Sequence, residues 1–194
     1  MTTQVGIDEV GRGSWAGPLT VAALVAPAEL PSWWQELDDS KRLGRARREH
    51  LYGLLVAADL PLAVVHEMPD SIDRLGLTAT MREAVRRALD ILREDYVLAG
   101  PLDVVVDGLD GYGVGRPLPK ADQLVRVVAG ASIVAKVRRD ALMRGLAREY
   151  PGYGFERHVG YGTAEHRAAL ARLGPCVLHR RSFRPVAGLC GGTS

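Results

Sequence analysis

Asp8 and Glu9 close an apolar run, "VGIDEV", and Gly11, Arg12 and Gly13 follow at once. Further along, "PLDVVVDG" carries Asp107 at its end, and "RPLPKAD" leads into Asp122. Most Asp and Glu side chains are solvated surface groups. Carboxylates that end apolar strands are different, because burying them is costly unless a cation neutralises them. Two kinds of arrangement meet that need. The acids cap helices or pair with basic side chains, or they gather around divalent metal, where hard oxygen ligands favour Mg²⁺ or Mn²⁺. Clusters of the second kind, with two metals roughly 3.5–4 Å apart, perform in-line phosphoryl displacement. Asp140, in "KVRRD", is a fifth candidate and reads as a helix hydrogen bond or an ion pair, with a site role as the alternative.

The turn after the paired acids adds a second clue. Glycines permit positive φ and close approach of the backbone, so peptide amides can face a phosphate or a sugar. Standing alone, "GRG" is a turn. Beside two candidate metal ligands it suggests contact with a substrate backbone.

Strands and helices must place these groups. Residues 4–10 and 17–27 read as strands, the second apolar enough to be central, and 60–68 as a third. A helix is expected from about 45 to 58, and another over most of 70–95, with Leu77, Met81, Ala84, Val85, Ala88, Leu89 and Leu92 as its apolar stripe. The strand 101–108 follows that helix and predicts a parallel crossover. A short strand near Lys120, a long helix over 123–149, a Gly/Tyr-rich loop over 150–163 and a helix over 164–173 complete the chain. The pattern predicts one α/β domain over residues 1–194, a mixed sheet with helices on its faces.

Composition narrows the class. The 194 residues are 47% hydrophobic and 25% charged, as in a globular protein. No apolar run approaches the roughly 20 residues of a membrane span, and no basic-then-apolar leader opens the chain. With only Cys176 and Cys190, a disulfide framework is not expected. The chain reads as cytoplasmic. Its net charge of +2 gives no global basic field. Yet 22 of its 25 cations are arginine, and lysine stands only at 41, 120 and 136. Such retention is either chance or a preference for a compact ammonium.

Taken in order, "GIDEVGRGSWAGP", "DDSKRL", "VDG", "KAD", "GASIVAKVRRD", "YPGYGFERHVGYGT" and "HRRSF" resemble the signature segments of type 2 ribonuclease H, the bacterial ribonuclease HII family. They run from residue 6 to residue 183, nearly the whole chain. The resemblance implies a ribonuclease H-like mixed five-stranded sheet flanked by helices, with additional C-terminal helices that bind substrate. It implies a monomeric, metal-dependent endonuclease acting on ribonucleotides embedded in duplex DNA and on RNA–DNA hybrids, leaving 5′-phosphate and 3′-hydroxyl ends.

Carried over residue by residue, Asp8, Glu9, Asp107 and Asp122 become the ligands of two Mg²⁺ or Mn²⁺ ions, with Asp8 shared. One ion activates water and the other stabilises the leaving 3′-oxygen. Gly11, Arg12 and Gly13 contact the 2′-hydroxyl, and Tyr161 lies against the sugar on the DNA side of the junction. The same segments place Ser40 with Lys41, and Ser132 with Lys136, at phosphates, which position a strand without reading its sequence. Lys120 balances the acids. Glu9 raises a difficulty, since neighbouring strand residues face opposite ways; it joins Asp8 only if the strand bends or ends there, or through its backbone carbonyl. Val159 stands where the family often has lysine. His158 either approaches the site or makes a structural hydrogen bond, while His179, Arg180 and Arg181 read as packing or surface groups, with phosphate contact as the alternative for the two arginines.

Overall fold

A computed structural model describes residues 2–98 and 100–190. Its strands are β1 (Thr3–Val10), β2 (Leu19–Val25), β3 (Leu62–Glu67), β4 (Leu102–Asp107) and β5 (Arg116–Leu118). They form one sheet in the order β3-β2-β1-β4-β5. β2 runs antiparallel to β1, whereas β4 runs parallel to β1 and β5 parallel to β4, so the sheet is mixed as expected. All seven residues of β2 are buried, the mark of a strand covered on both faces.

The helices are α1 (Arg45–Ala57), α2 (Pro69–Leu75), α3 (Leu77–Asp95), α4 (Ala121–Leu124), α5 (Arg126–Glu149), α6 (Phe155–His158), α7 (Ala164–Leu173) and α8 (Arg184–Cys190). The stripe of α3 is buried from Met81 to Leu92, as its spacing predicts. Four segments differ from the sequence reading. Gly76, at φ +80°, breaks the helix expected over 70–95 into α2 and α3. Val125 is extended (φ −127°, ψ 112°) and separates α4 from α5. The loop over 150–163 folds one short turn, α6, and the tail carries α8.

The residues group into two compact units. Unit one holds the chain through Val10, Thr20–Val65 and Arg82–Val137. Its core joins Leu24, Leu37, Leu51, Leu55 and Val105 to the apolar face of α5. Unit two holds Gly11–Leu19, His66–Met81 and the chain from Arg138 onward, around Met143, Phe155, Leu170, Leu178 and Val186.

Within unit one, α5 approaches β1 so closely that a Cβ at Gly6 would stand 2.5 Å from the carbonyl carbon of Val127 and the nitrogen of Val128. Both obstacles are backbone, so relief requires the helix to lift. Gly6→Ala is therefore expected to cost roughly 1–3 kcal/mol of overpacking, read as a lower urea midpoint at unchanged slope. An unchanged midpoint would show that α5 yields without cost.

Candidate active site

The parallel pairing of β1 with β4 sets the register of the acids. Ile7 pairs with Val106, and the next residues along the two strands are Asp8 and Asp107. Two carboxylates thus stand side by side at the carboxyl ends of parallel neighbours, where open α/β sheets bind ligands. Asp122 arrives by a different route. Lys120 takes a left-handed conformation (φ 61°), turning the chain from β5 into α4. The Ala121 N–H then donates to Asp107 Oδ1 at 2.7 Å, which tethers the first turn of α4 to the end of β4.

Asp8 and Asp122 are both buried, 4% and 3% exposed. Burial pushes Asp8 well above the usual carboxylate range, and the charges of Glu9 and Asp107 push the same way, against hydrogen bonds from Ser132 and the Glu9 N–H. Burial, then Asp107 and Asp39, raise Asp122 to about 6, although Lys41 opposes them. Lys41 shows the other side of this field. Burial works against its charge, yet Asp39, Asp8, Asp122 and Asp107 together raise its pKa. Its Nζ lies 3.6 Å from Asp122 Oδ2.

β1 stays regular through Val10, with Glu9 opposite Val21, and the Glu9 charge acts on Asp8 ahead of that of Asp107. Among the described residues, no group of three or more His, Cys, Asp or Glu side chains is arranged to hold a metal ion. What the structure assembles is a set of acids in one another's field.

Asp39, within "DDSKRL", belongs to that set and was missed by sequence reasoning. It is buried; Oδ1 accepts the Lys41 N–H at 2.9 Å and Oδ2 accepts from Gln123 Nε2 at 3.3 Å. An Asp two residues before a lysine is the spacing of an Asx turn, the signal that could have found it. Ser40 and Ser132 bond to each other, Oγ to Oγ at 2.9 Å, and both are buried. Ser132 is also bonded to Asp8, so this buried hydroxyl pair links Ser40 to the acids. Lys136 is half-buried one helical turn after Ser132, on the same face of α5.

Unit two holds the turn and the tyrosine. Gly11 sits at φ +86°, and a Cβ there would lie 2.7 Å from the Pro18 carbonyl and against the Arg139 guanidinium. Gly13 differs, for nothing lies within 4 Å of where its Cβ would be. Arg12 and Gly13 are exposed, while Ser14 is fully buried and its Oγ lacks a hydrogen-bond partner. Arg139 and Arg180 are wholly buried. Arg139 donates to Pro18 O (2.8 Å), Val159 O (2.9 Å) and Ala16 O (3.2 Å). Arg180 donates twice to Gly17 O (3.1 and 2.9 Å) and once to Arg12 O (2.9 Å). The phosphate alternative for Arg180 fails on this geometry, because its guanidinium is committed inside. Arg181 is exposed, and its N–H donates to Asp73.

The Tyr161 ring rests 5.5 Å from the Arg139 guanidinium. Its carbonyl accepts from His166 Nδ1 at 3.0 Å. His166 Nε2 is then the acceptor for His179 Nε2–H at 3.1 Å, and His179 Nδ1 accepts the Cys176 N–H at 3.0 Å. These partners assign both rings as neutral tautomers. Burial foremost, then the neighbouring His166, lowers His179 to about 4. His158 is structural too, with Nε2 2.8 Å from Tyr153 O and its ring stacked on His166.

Comparison with known proteins adds to this geometry. The family model described as Ribonuclease HII matches residues 5–186. The Ribonuclease HII of Xanthobacter autotrophicus is 47% identical over 185 residues, 93% of this chain and 71% of that protein. The Ribonuclease HII of Halorhodospira halophila is 43% identical over 192 residues, 97% of this chain and 95% of that protein. The crystal structure of the ribonuclease H2 from Pyrococcus horikoshii superposes with a TM-score of 0.76 over 97% of both chains; at 24% identity this is a likeness of fold.

A carboxyl whose folded pKa exceeds its unfolded value holds more protons folded than unfolded. The cost at Asp122 is therefore absent below about pH 4 and fully developed above about 6. In chelator at pH 7.5, Asp122→Asn should raise stability by ~1–2 kcal/mol, and the gain should vanish at pH 4; a gain that persists there would assign it to packing. Gly11→Ala should lower the melting temperature, because its conformation and its neighbours both exclude a side chain. Gly13→Ala should leave melting unchanged and weaken nucleic-acid binding instead; a lowered melting temperature would make that glycine a requirement of the fold.

Proposed function

This chain belongs to the ribonuclease HII family and is a ribonuclease H endonuclease, and we propose that it cuts at ribonucleotides embedded in duplex DNA and in RNA–DNA hybrids, leaving 5′-phosphate and 3′-hydroxyl ends. One observation carries this reading: Asp8, Asp107 and Asp122 meet in a common field at the carboxyl end of the sheet, and burial with mutual repulsion raises two of them. Such a set fits a hard divalent cation, being all oxygen, partly buried and short of positive charge. We assign Asp8, Glu9, Asp107 and Asp122 as ligands, with Glu9 joining through its carboxylate or its backbone carbonyl. Two bound Mg²⁺ or Mn²⁺ ions would lower the pKa of the attacking water and take up charge on the leaving 3′-oxygen.

The chain's own residues prepare that site. Asp39 fixes the Ser40–Lys41 turn through the Lys41 N–H. Lys41, exposed along its stem, keeps Asp122 more ionised than its burial alone allows, and it offers an ammonium to phosphate. Ser132 holds Asp8 in place, and Lys136 on the same helical face is a second phosphate contact. In unit two, Gly11, Arg12 and Gly13 are assigned to the 2′-hydroxyl, the group that distinguishes ribose from deoxyribose at one nucleotide. Tyr161 is assigned to the deoxyribose that follows. Its ring is a flat surface already supported from behind by Arg139. The chain is proposed to act as a monomer. No helix among the described residues is long and apolar enough to cross a membrane.

The test is cleavage of duplex DNA holding one ribonucleotide, with Mg²⁺ and with Mn²⁺, mapped to the nucleotide. A single cut at the ribonucleotide, leaving 3′-hydroxyl and 5′-phosphate, is expected. Asp8→Asn should reduce the rate by more than about a hundredfold, the loss that partners of metal ligands already approach. Binding should persist, because phosphate contacts supply most of the affinity. Binding by the wild type without turnover in either metal would make the protein a hybrid-binding module instead.

A further inference from the structure

Arginine buried among backbone carbonyls is an uncommon use of a charge. In unit two Arg180 is fully buried, and its guanidinium bridges two carbonyls in one turn, Gly17 and Arg12. Gly17 also donates its N–H to Leu178 O at 2.8 Å, and the Arg180 N–H donates to Trp15 O at 2.8 Å. The far end of the turn is thereby anchored to the same segment that supplies the guanidinium. The near end, at Arg12 and Gly13, is exposed.

Peptide geometry converts that anchor into a direction. In a planar trans peptide the carbonyl of one residue and the N–H of the next point opposite ways, and this chain has no cis peptide among the described residues. The bond from Arg180 Nη1 turns the Arg12 carbonyl inward at 2.9 Å. The Gly13 N–H, in the same peptide plane, must therefore point away from Arg180 toward the exposed side.

Two further features mark that side as a contact. The fold does not require glycine at 13, since a Cβ there would meet nothing within 4 Å and its φ is not positive. The absence of a side chain leaves room for something approaching from outside. Next to it, the buried Ser14 hydroxyl has no hydrogen-bond partner, an unusual state for a buried polar group.

We infer that Arg180 is a positioning residue for substrate selection: by holding the Arg12 carbonyl inward it aims the Gly13 amide at the 2′-oxygen of a ribonucleotide. A deoxyribose offers that amide no acceptor, so the fixed N–H favours ribose without reading a base. Arg139 supports the same turn from the other side, through Pro18 and Ala16. This inference rests on the substrate reading above.

The experiment compares affinities for two duplexes, one all DNA and one with a single ribonucleotide, on the Asp8→Asn background that binds without cutting. Asp8→Asn alone should prefer the ribonucleotide duplex. If it shows no preference, the substrate reading fails and this inference falls with it. Given a preference, Arg180→Lys should reduce it by about tenfold, the scale of one lost hydrogen bond, because an ammonium cannot reproduce the fork that bridges two carbonyls. Affinity for all-DNA duplex and the salt slope should stay unchanged, since Arg180 is buried and touches no phosphate. A preserved preference in the folded variant overturns the inference. So does an equal loss on both duplexes. Should Arg180→Lys fail to fold, the Asp8→Asn protein decides by NMR: the Gly13 amide resonance should shift with the ribonucleotide duplex and not with all-DNA duplex. Equal shifts with both overturn the assignment.

Discussion

Repulsion among buried carboxylates is the constraint on which unit one turns. Asp8 and Asp122 are held where water cannot dissipate their charge, and Asp107 stands between them in the electrostatic sense, raising both. Folding alone would not choose such an arrangement. It persists because each acid is fixed by elements stabilised elsewhere: β1 and β4 by ladder hydrogen bonds and an apolar core, and α4 by its tether to Asp107. The close seat of α5 on Gly6 completes the frame, since the same helix carries Ser132 against Asp8.

Unit two solves a related problem with the opposite charge. Two guanidiniums lie fully buried, and backbone carbonyls of one irregular turn and of Val159 receive their N–H groups. Val159 is β-branched yet left-handed (φ 44°), a conformation that costs ~1–3 kcal/mol unless its surroundings impose it. The Arg139 bond to its carbonyl is part of that imposition. Charge here does the work that regular secondary structure does elsewhere, fixing a loop whose peptide groups have no ladder to join.

Much of this was legible beforehand, and the reasons differ from residue to residue. The mixed sheet could be read because "VGID" and "LDVVVD" end apolar runs in acids, and a long amphipathic helix between them implies a parallel crossover. The family resemblance rested on seven segments in order, which no local propensity could supply. Element ends were less visible where one residue's backbone decides them, as at Gly76 and Val125. Asp39 escaped because its neighbours Ser40 and Lys41 drew the reading, and only folding shows that its carboxylate closes the turn. The buried arginines were hidden for a physical reason. Sequence marks arginine as a surface group, and their partners are carbonyls, which every residue has.

The line of donation from His179 through His166 to Tyr161 runs in one direction only. A proton added to His166 would set two N–H groups against each other across a 3.1 Å gap. His179, with a folded pKa of about 4 against an ordinary 6.5, takes up its proton more readily unfolded, so its contribution to stability is lost as pH falls from about 6.5 to 4. Asp122, raised to about 6, responds with the opposite sign over nearly the same interval. Mild acid thus relieves a cost at Asp122 while adding one at His179.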